Sequence, residues 1–191
     1  MKARISATDF KRIIDNTKRF VGSECNGKLF PWIYLTIDCE SKSIKATALD
    51  GHKVSIEHTD VMEVDESFTC YIKPSIPKIT KHDSYVDIKV SNNRLYVEVG
   101  ETIMGYVQPE GEYYKVDDLL KGYIEDKPKL TIGVNANLLK DALTSISNYG
   151  YGPIAKIDLR GPKDGIIIRS GERGKPDNLK IVLPVNLREE S

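Results

Sequence analysis

One pattern constrains this chain more than any other: a strand, a helix and three further strands, met three times at a period of about 60 residues. The first unit opens with the alternating run KARIS. A helix follows in SATDFKRIIDNTKRFVG, where Ser6 and Asp9 resemble a capping box and either Ser6 or Thr8 can cap. Phe10, Ile13, Ile14 and Thr17 share one helical face, and Gly22 is the expected stop. Three strands come next: WIYLTIDCE, with Ile33, Leu35, Ile37 and Cys39 on one side, then SIKATALD and HKVSIEH. The second unit begins at SFTCYIKPSIPKI, where Pro74 and Pro77 limit any helix to a turn or two. YVDIKV, RLYVEVG and TIMGYVQ then alternate, with Asn92-Asn93 as a turn. The third unit starts at KLTIGVN. Asn135 caps ANLLKDALTSIS, with Leu138, Leu139, Ala142, Leu143 and Ile146 as its apolar face, and AKIDLRG, GIIIRSG and LKIVLPVNL are its strands.

A unit of this kind cannot cover its own apolar face, so units are expected to pair, sheet beside sheet and helix beside helix. Three is odd, and the third unit is left without a mate. The mixed charges and Pro128 of residues 112–129 suit a connection. The chain therefore divides into a two-unit domain over 1–118, a linker over 119–126 and a half-domain over 127–191.

Composition narrows the function. Equal numbers of acidic and basic residues give a net charge of zero, which argues against binding nucleic acid by bulk phosphate neutralisation but leaves room for a local basic face. Cys25, Cys39 and Cys70 are odd in number and lack CxxC spacing, which reads as reduced thiols in the cytoplasm. The start MKARISATDF lacks the apolar core of a signal peptide, and no run approaches the roughly 18 apolar residues of a membrane span.

The run IKATALDGHKVSIE poses the functional question, because Asp50, Gly51, His52 and Lys53 fall together between two alternating strands. As chemistry, Asp50 and His52 form an acid–base pair two residues apart, the mark of a small hydrolase. As structure, Asp50-Gly51 is a hairpin turn and the flanking aliphatic residues are core. Catalysis finds little other support. His58 and His82 lack metal-ligand spacing, and no Gly-rich phosphate loop, Walker pattern or nucleophile elbow is present. GERGKPD, residues 171–177, lacks the phosphate-loop arrangement and reads as a loop between strands. No metal or other cofactor is expected.

Four stretches resemble one family, the bacterial DNA sliding clamps (the beta subunit of DNA polymerase III). ATALDGHKVS is similar to the family's A-T-D-G-H-R-L run in its middle domain. VQPEGEYYKV resembles its end-of-domain gly-x-phe-pro-x-tyr, and IGVNANLLKDAL its phe-asn-x-x-tyr-leu-x-x-ala-leu helix start. KIVLPVNL resembles its terminal val-val-met-pro-met-arg-leu. The stretches occur in family order and cover almost the whole chain. The family's first domain, and the first half of its last, have no counterpart. The resemblance implies an α+β, DNA-clamp-like fold of repeated β-α-β-β-β units, here one and a half clamp domains.

The resemblance also assigns sites. The Asp-Gly-His turn becomes one wall of a groove for client peptides, supplied by His52, Lys53 and Val54; Ile181, Leu183, Pro184 and Val185 supply the other. Aliphatic walls suit a Leu or Phe anchor, each worth roughly 1.5–3 kcal/mol when buried, so two or three anchors give micromolar binding. DNA contacts would be diffuse and without sequence preference, through Lys11, Arg12, Lys18, Arg19, Lys78, Lys81 and Lys140 on or near helices. Phe30-Pro31 stands where the family has two tyrosines; Phe30 keeps the capacity to stack on a nucleotide, and Lys28 is beside it. Implied partners are DNA, a polymerase or other clamp-binding protein, a clamp loader, and further copies of the chain. Six two-unit domains make the family's ring, so three-unit chains need four copies to match it. The expected function is a non-catalytic processivity factor in the cytoplasm. The alternative is a peptide-binding module on the same fold that does not encircle DNA.

Overall fold

The computed structural model describes residues 1–146, 154–170 and 178–185, with the backbone alone at residue 26 and residues 122–124. The chain folds as two units, Met1–Lys115 and Val116–Ser191.

The first unit begins with β1 (Lys2–Ser6) and α1 (Ala7–Thr17). Ser6 is the N-cap: its hydroxyl accepts from the Asp9 amide at 3.5 Å, which decides between the two candidate caps. Phe10, Ile13, Ile14 and Thr17 are all buried, as their spacing requires, and each large apolar member contributes roughly 1.5–3 kcal/mol. The α-helix ends at Thr17 and a 3₁₀ turn (Lys18–Phe20) follows, so the stop precedes Gly22. β2 (Ile33–Asp38), β3 (Ser43–Leu49), β4 (Val54–Asp60) and the short β5 (Glu63–Val64) complete the first repeat. The second repeat has β6 (Phe68–Ile72), β7 (Tyr85–Ser91), β8 (Arg94–Val99) and β9 (Thr102–Val107). Asn92 and Asn93 both take positive φ, 52° and 56°, and join β7 to β8 in the tight turn their identity predicts.

The second repeat has no helix. Residues 73–84 form no helix and hold one turn, closed by the Asp83 amide donating to the Thr80 carbonyl at 3.2 Å, because Pro74 and Pro77 remove amide donors and push the residues before them out of the helical region.

The sheets do not follow the repeats. One has the order β4-β3-β2-β6 and the other β5-β1-β7-β8-β9. Each repeat has given its first strand to the other: β6 pairs antiparallel with β2, and β1 with β7. This exchange welds the repeats around one core. Ile5, Phe10, Ile33, Leu35, Ile44, Ile72, Ile88 and Leu95 are buried within it.

The expected linker is largely structured. Residues 112–115 belong to the first unit, where Tyr113 is buried and stacks on Tyr34 with ring centroids 4.9 Å apart. α2 (Val116–Glu125) follows directly, so the residues expected to connect form a helix instead.

In the second unit α3 (Ala136–Thr144) is capped by Asn135, whose side chain accepts from the Asn137 amide at 2.9 Å. β10 (Lys156–Asp158), β11 (Ile166–Ser170) and β12 (Asn178–Val182) form an antiparallel sheet in that order. The opening strand expected in KLTIGVN is reduced to one bridge, Val134 to Pro184. A small core of Ile166, Ile168 and Val182 is covered by Leu139, Ala142 and Ile146 of the helix segment, while Leu138 and Leu143 are exposed. The loop at 171–177 and the end of the terminal motif, from residue 186, lie outside the described residues.

Candidate functional site

Two surfaces carry the expected contact residues, one on each unit. On the first unit, the chain leaves β3 at Leu49 and re-enters β4 at Val54 through a loop held by Asp50. One Asp50 carboxylate oxygen accepts from the His52 amide at 2.9 Å and the Lys53 amide at 3.0 Å. The Asp50 amide donates to the Lys53 carbonyl at 3.2 Å. Gly51 sits at φ +93°, a region side chains rarely adopt. Lys53 folds back: its ammonium donates to the Arg19 carbonyl at 2.6 Å, lies 3.5 Å from the Asp50 carboxylate and rests over the Phe20 ring. His52 is left exposed at the tip and Val54 is half-buried.

These contacts bear on the acid–base pair. The His52 amide, followed by that of Lys53, holds the Asp50 carboxyl below the usual carboxylate range. A carboxylate stabilised by backbone donors is a weak base, and its work is to shape the turn. Among the described residues, no group of three or more His, Cys, Asp and Glu is placed to hold a metal.

On the second unit, Ile181 pairs with Ile167 across the ladder, on the face opposite Val182 and Ile166. Ile181, Leu183 and Val185 are 57%, 70% and 46% exposed, so they are not core. The backbone beneath them is fixed. Pro184 bridges Val134, and the Val185 amide donates to the Gly133 carbonyl at 2.9 Å. Gly165 lies so close that a Cβ there would stand 2.9 Å from the Ile181 Cγ2. Three aliphatic side chains at alternate positions on a held backbone form a ready apolar surface.

Half of the basic candidates are engaged by carboxylates. Lys11 and Lys18 both hydrogen-bond to Asp15, and the Lys11 contact, followed by that of Lys18, lowers the Asp15 pKa. Arg12 reaches Glu57 and the His58 carbonyl, each at 3.1 Å, and lies 3.7 Å from Asp9. Lys28 stands 3.9 Å from Glu110 with both side chains exposed. Arg19 is exposed, and its side chain has no ion pair among the described residues. Lys78 and Lys81 lie in the loop that replaces the second helix, not on a helix. Folding brings Lys81 to Lys11 and Arg12 around a shallow cavity of about 390 Å³ that Asp15, Ile79 and Thr80 also line. Lys140 is exposed on α3.

Phe30 departs from expectation. It is 8% exposed, with its ring centroid 4.7 Å from that of Tyr114, so it is packed inside the unit and not offered to a nucleotide. It belongs to a cluster that sequence reasoning missed: Tyr113 touches the rings of Tyr34, Tyr71 and Tyr114. Tyr34 and Tyr71 are register partners on β2 and β6, so the signal was their placement on the faces opposite the buried Leu35 and Cys70.

No protein-family model and no curated protein matches this sequence. Solved structures do. A DNA polymerase sliding clamp from Bacillus subtilis superposes with a TM-score of 0.78 at 15% identity, over 96% of this chain and 49% of its own. The DNA polymerase III subunit beta from Pseudomonas aeruginosa gives 0.79 at 15% identity, over 96% and 51%. The beta chain of DNA polymerase III from Streptococcus pneumoniae gives 0.76 at 17%, over 97% and 50%. The fold is therefore the α+β sliding-clamp fold, and the chain spans about half the length of these structures.

Proposed function

We propose that this chain is a clamp-like replication accessory protein, without catalysis of its own, that captures client proteins by a short peptide. Ile181, Leu183, Pro184 and Val185 are the apolar wall that receives the peptide's anchor residues. His52, Lys53 and Val54 are a separate contact surface on the first unit, with His52 its exposed polar group. The observation that carries this proposal is the exposure of Ile181, Leu183 and Val185 on a hydrogen-bonded backbone, on a fold shared with polymerase sliding clamps. Clients are a polymerase or another clamp-binding protein, a loader is a further partner class, and the setting is cytoplasmic.

DNA is proposed as a second, weaker partner, bound through phosphates by Arg19, Lys78, Lys81 and Lys140. Lys11, Arg12, Lys18 and Lys28 add to this where phosphate displaces their carboxylate partners. Exposed ion pairs contribute about 0–1 kcal/mol, so such exchange costs little. The same pairing favours a second version of the function, a peptide-binding module that does not encircle DNA. It leaves the α1 face much less positive than a count of its lysines and arginines suggests.

The test is titration of the full chain with a labelled clamp-binding peptide bearing Leu and Phe anchors. The wild type binds in the micromolar range. Leu183→Asp, at an exposed position, keeps its fold by circular dichroism and weakens binding at least about tenfold, the equivalent of one lost anchor. Equal affinity in the two proteins would remove this surface from the function.

A further inference from the structure

The apolar surface of Ile181 and Leu183 continues onto the sheet and changes character there. Alternation places Lys156 and Asp158 of β10, Ile167 and Arg169 of β11, and Leu179 and Ile181 of β12 on one face. The core residues Ile166, Ile168 and Val182 take the other, against Leu139 and Ala142 of α3. Ile181 stands opposite Ile167. One pair further along, Leu179 stands opposite Arg169, whose neighbour on its other side is Lys156. Leu179 is 58% exposed, so the aliphatic strip stays open up to the point where it meets two cations.

One carboxylate on this face answers those cations, and it answers poorly. Asp158 Oδ2 lies 2.7 Å from Arg169 Nη2, with both side chains half-exposed. Neither that oxygen nor the Arg169 Nε has a hydrogen-bond partner among the described residues, although both atoms are shut off from solvent. A well-matched guanidinium offers two N–H groups to one carboxylate, as Arg4 does to Asp87. Arg169 is close to its anion but not aligned with it. The six outward side chains therefore carry one net positive charge and an Arg with donor capacity to spare.

We propose that Arg169 determines specificity at the client surface: beside Lys156, it binds a Glu or Asp of the client peptide while Ile181 and Leu183 receive the apolar anchors. This rests on the client reading of Ile181 and Leu183 given above. The occupant is an acidic, extended segment because the face is apolar at one end and positive at the other. Strand geometry sets the spacing. At roughly 3.3 Å per residue, the level of Arg169 lies about 7 Å from Ile181 and about 13 Å from Leu183. An extended client carries its acid two to four residues from the anchor.

Titration of the full chain with paired peptides tests this. Each peptide has Leu and Phe anchors, with Glu or Gln placed two, three or four residues from them on either side. At the best position the Glu peptide is expected to bind the wild type at least about threefold more tightly than its Gln twin, the scale of an exposed ion pair. High salt removes the difference. Arg169→Gln abolishes the preference and leaves the affinity of the Gln peptide unchanged. Asp158→Asn removes the competing carboxylate and enlarges the preference, an independent reading that keeps Arg169 in place. A preference of the same size in the wild type and both variants, or none at any position, overturns the proposal. The apolar surface then still stands if Leu183→Asp weakens the Gln peptide. Failure of every peptide to bind the wild type overturns both readings.

Discussion

Arg4 on β1 and Asp87 on β7 stand opposite each other across the strand exchange. They are joined by two hydrogen bonds, Nε to Oδ1 at 2.8 Å and Nη2 to Oδ2 at 2.9 Å. The partners are 83 residues apart, and each belongs to a different repeat. Lys2 adds a second cation 3.4 Å from the same carboxylate, and the Arg4 guanidinium lies over the Tyr85 ring at 4.0 Å. Bidentate geometry makes this pair stronger and more specific than the other surface ion pairs. Asp87→Ala is predicted to lower the unfolding free energy by about 1.5–3 kcal/mol, the usual worth of hydrogen bonds to a charged group. Urea denaturation followed at the tryptophan measures it.

The same pair sets an acid limit. The Arg4 hydrogen bond, and then the charge of Lys2, hold the Asp87 carboxyl below its ordinary range, and Lys11 does the same for Asp15. A carboxyl depressed in the folded state stabilises it fully above the unfolded value of about 3.9. That contribution is lost as pH falls through the folded value. Stability is predicted to be level from neutrality down to about pH 5 and to fall below it. Asp87→Asn is predicted to start lower and to fall less steeply. Thermal melts across pH read both slopes.

Asp50 separates turn-making from chemistry. Asn keeps an oxygen acceptor for the His52 and Lys53 amides, whereas Ala does not. Asp50→Asn is therefore predicted to bind client peptide like the wild type. Asp50→Ala is predicted to be less stable than Asp50→Asn and to bind client peptide more weakly than the wild type. Gly51→Ala, forced to φ +93°, is predicted to follow Asp50→Ala. Chemical denaturation and peptide titration of the three variants measure this.

DNA binding is predicted to be limited by Asp15. Asp15→Asn releases Lys11 and Lys18, so affinity for primed duplex rises and the dependence on salt steepens by about one to two phosphate equivalents. Arg19→Ala and Lys81→Ala each flatten it by about one. Fluorescence anisotropy over a salt series gives the slopes.

Local signals in the sequence were enough for local structure. The Ser6 cap, the α1 face, the Asn92-Asn93 turn and the alternating strands β2 to β4 and β7 to β9 each follow from residues within one element. What was not legible is non-local. Nothing near β1 says that its partner is β7, because either repeat's sheet accepts a strand with the same alternation. Nothing near Phe30 reveals that Tyr114, from the segment read as a connection, covers it. Proline chemistry limited the second helix to a turn or two, and one turn at residues 80–83 is what forms. At the candidate surfaces, the turn at 50–53 was readable from Asp-Gly. The exposure of Ile181 and Leu183 was not, since an alternating aliphatic strand reads as core until the packing on both faces is known.

The central claim is that the 181–185 strand end, where Ile181, Leu183 and Val185 are exposed, receives a client peptide. Hydrogen exchange of the full chain, with and without a saturating clamp-binding peptide, tests it most directly. The account predicts slower amide exchange at residues 181–185 on binding, with β7 and β8 unchanged. Protection elsewhere with residues 181–185 unaffected, or no protection at any peptide concentration, would contradict it.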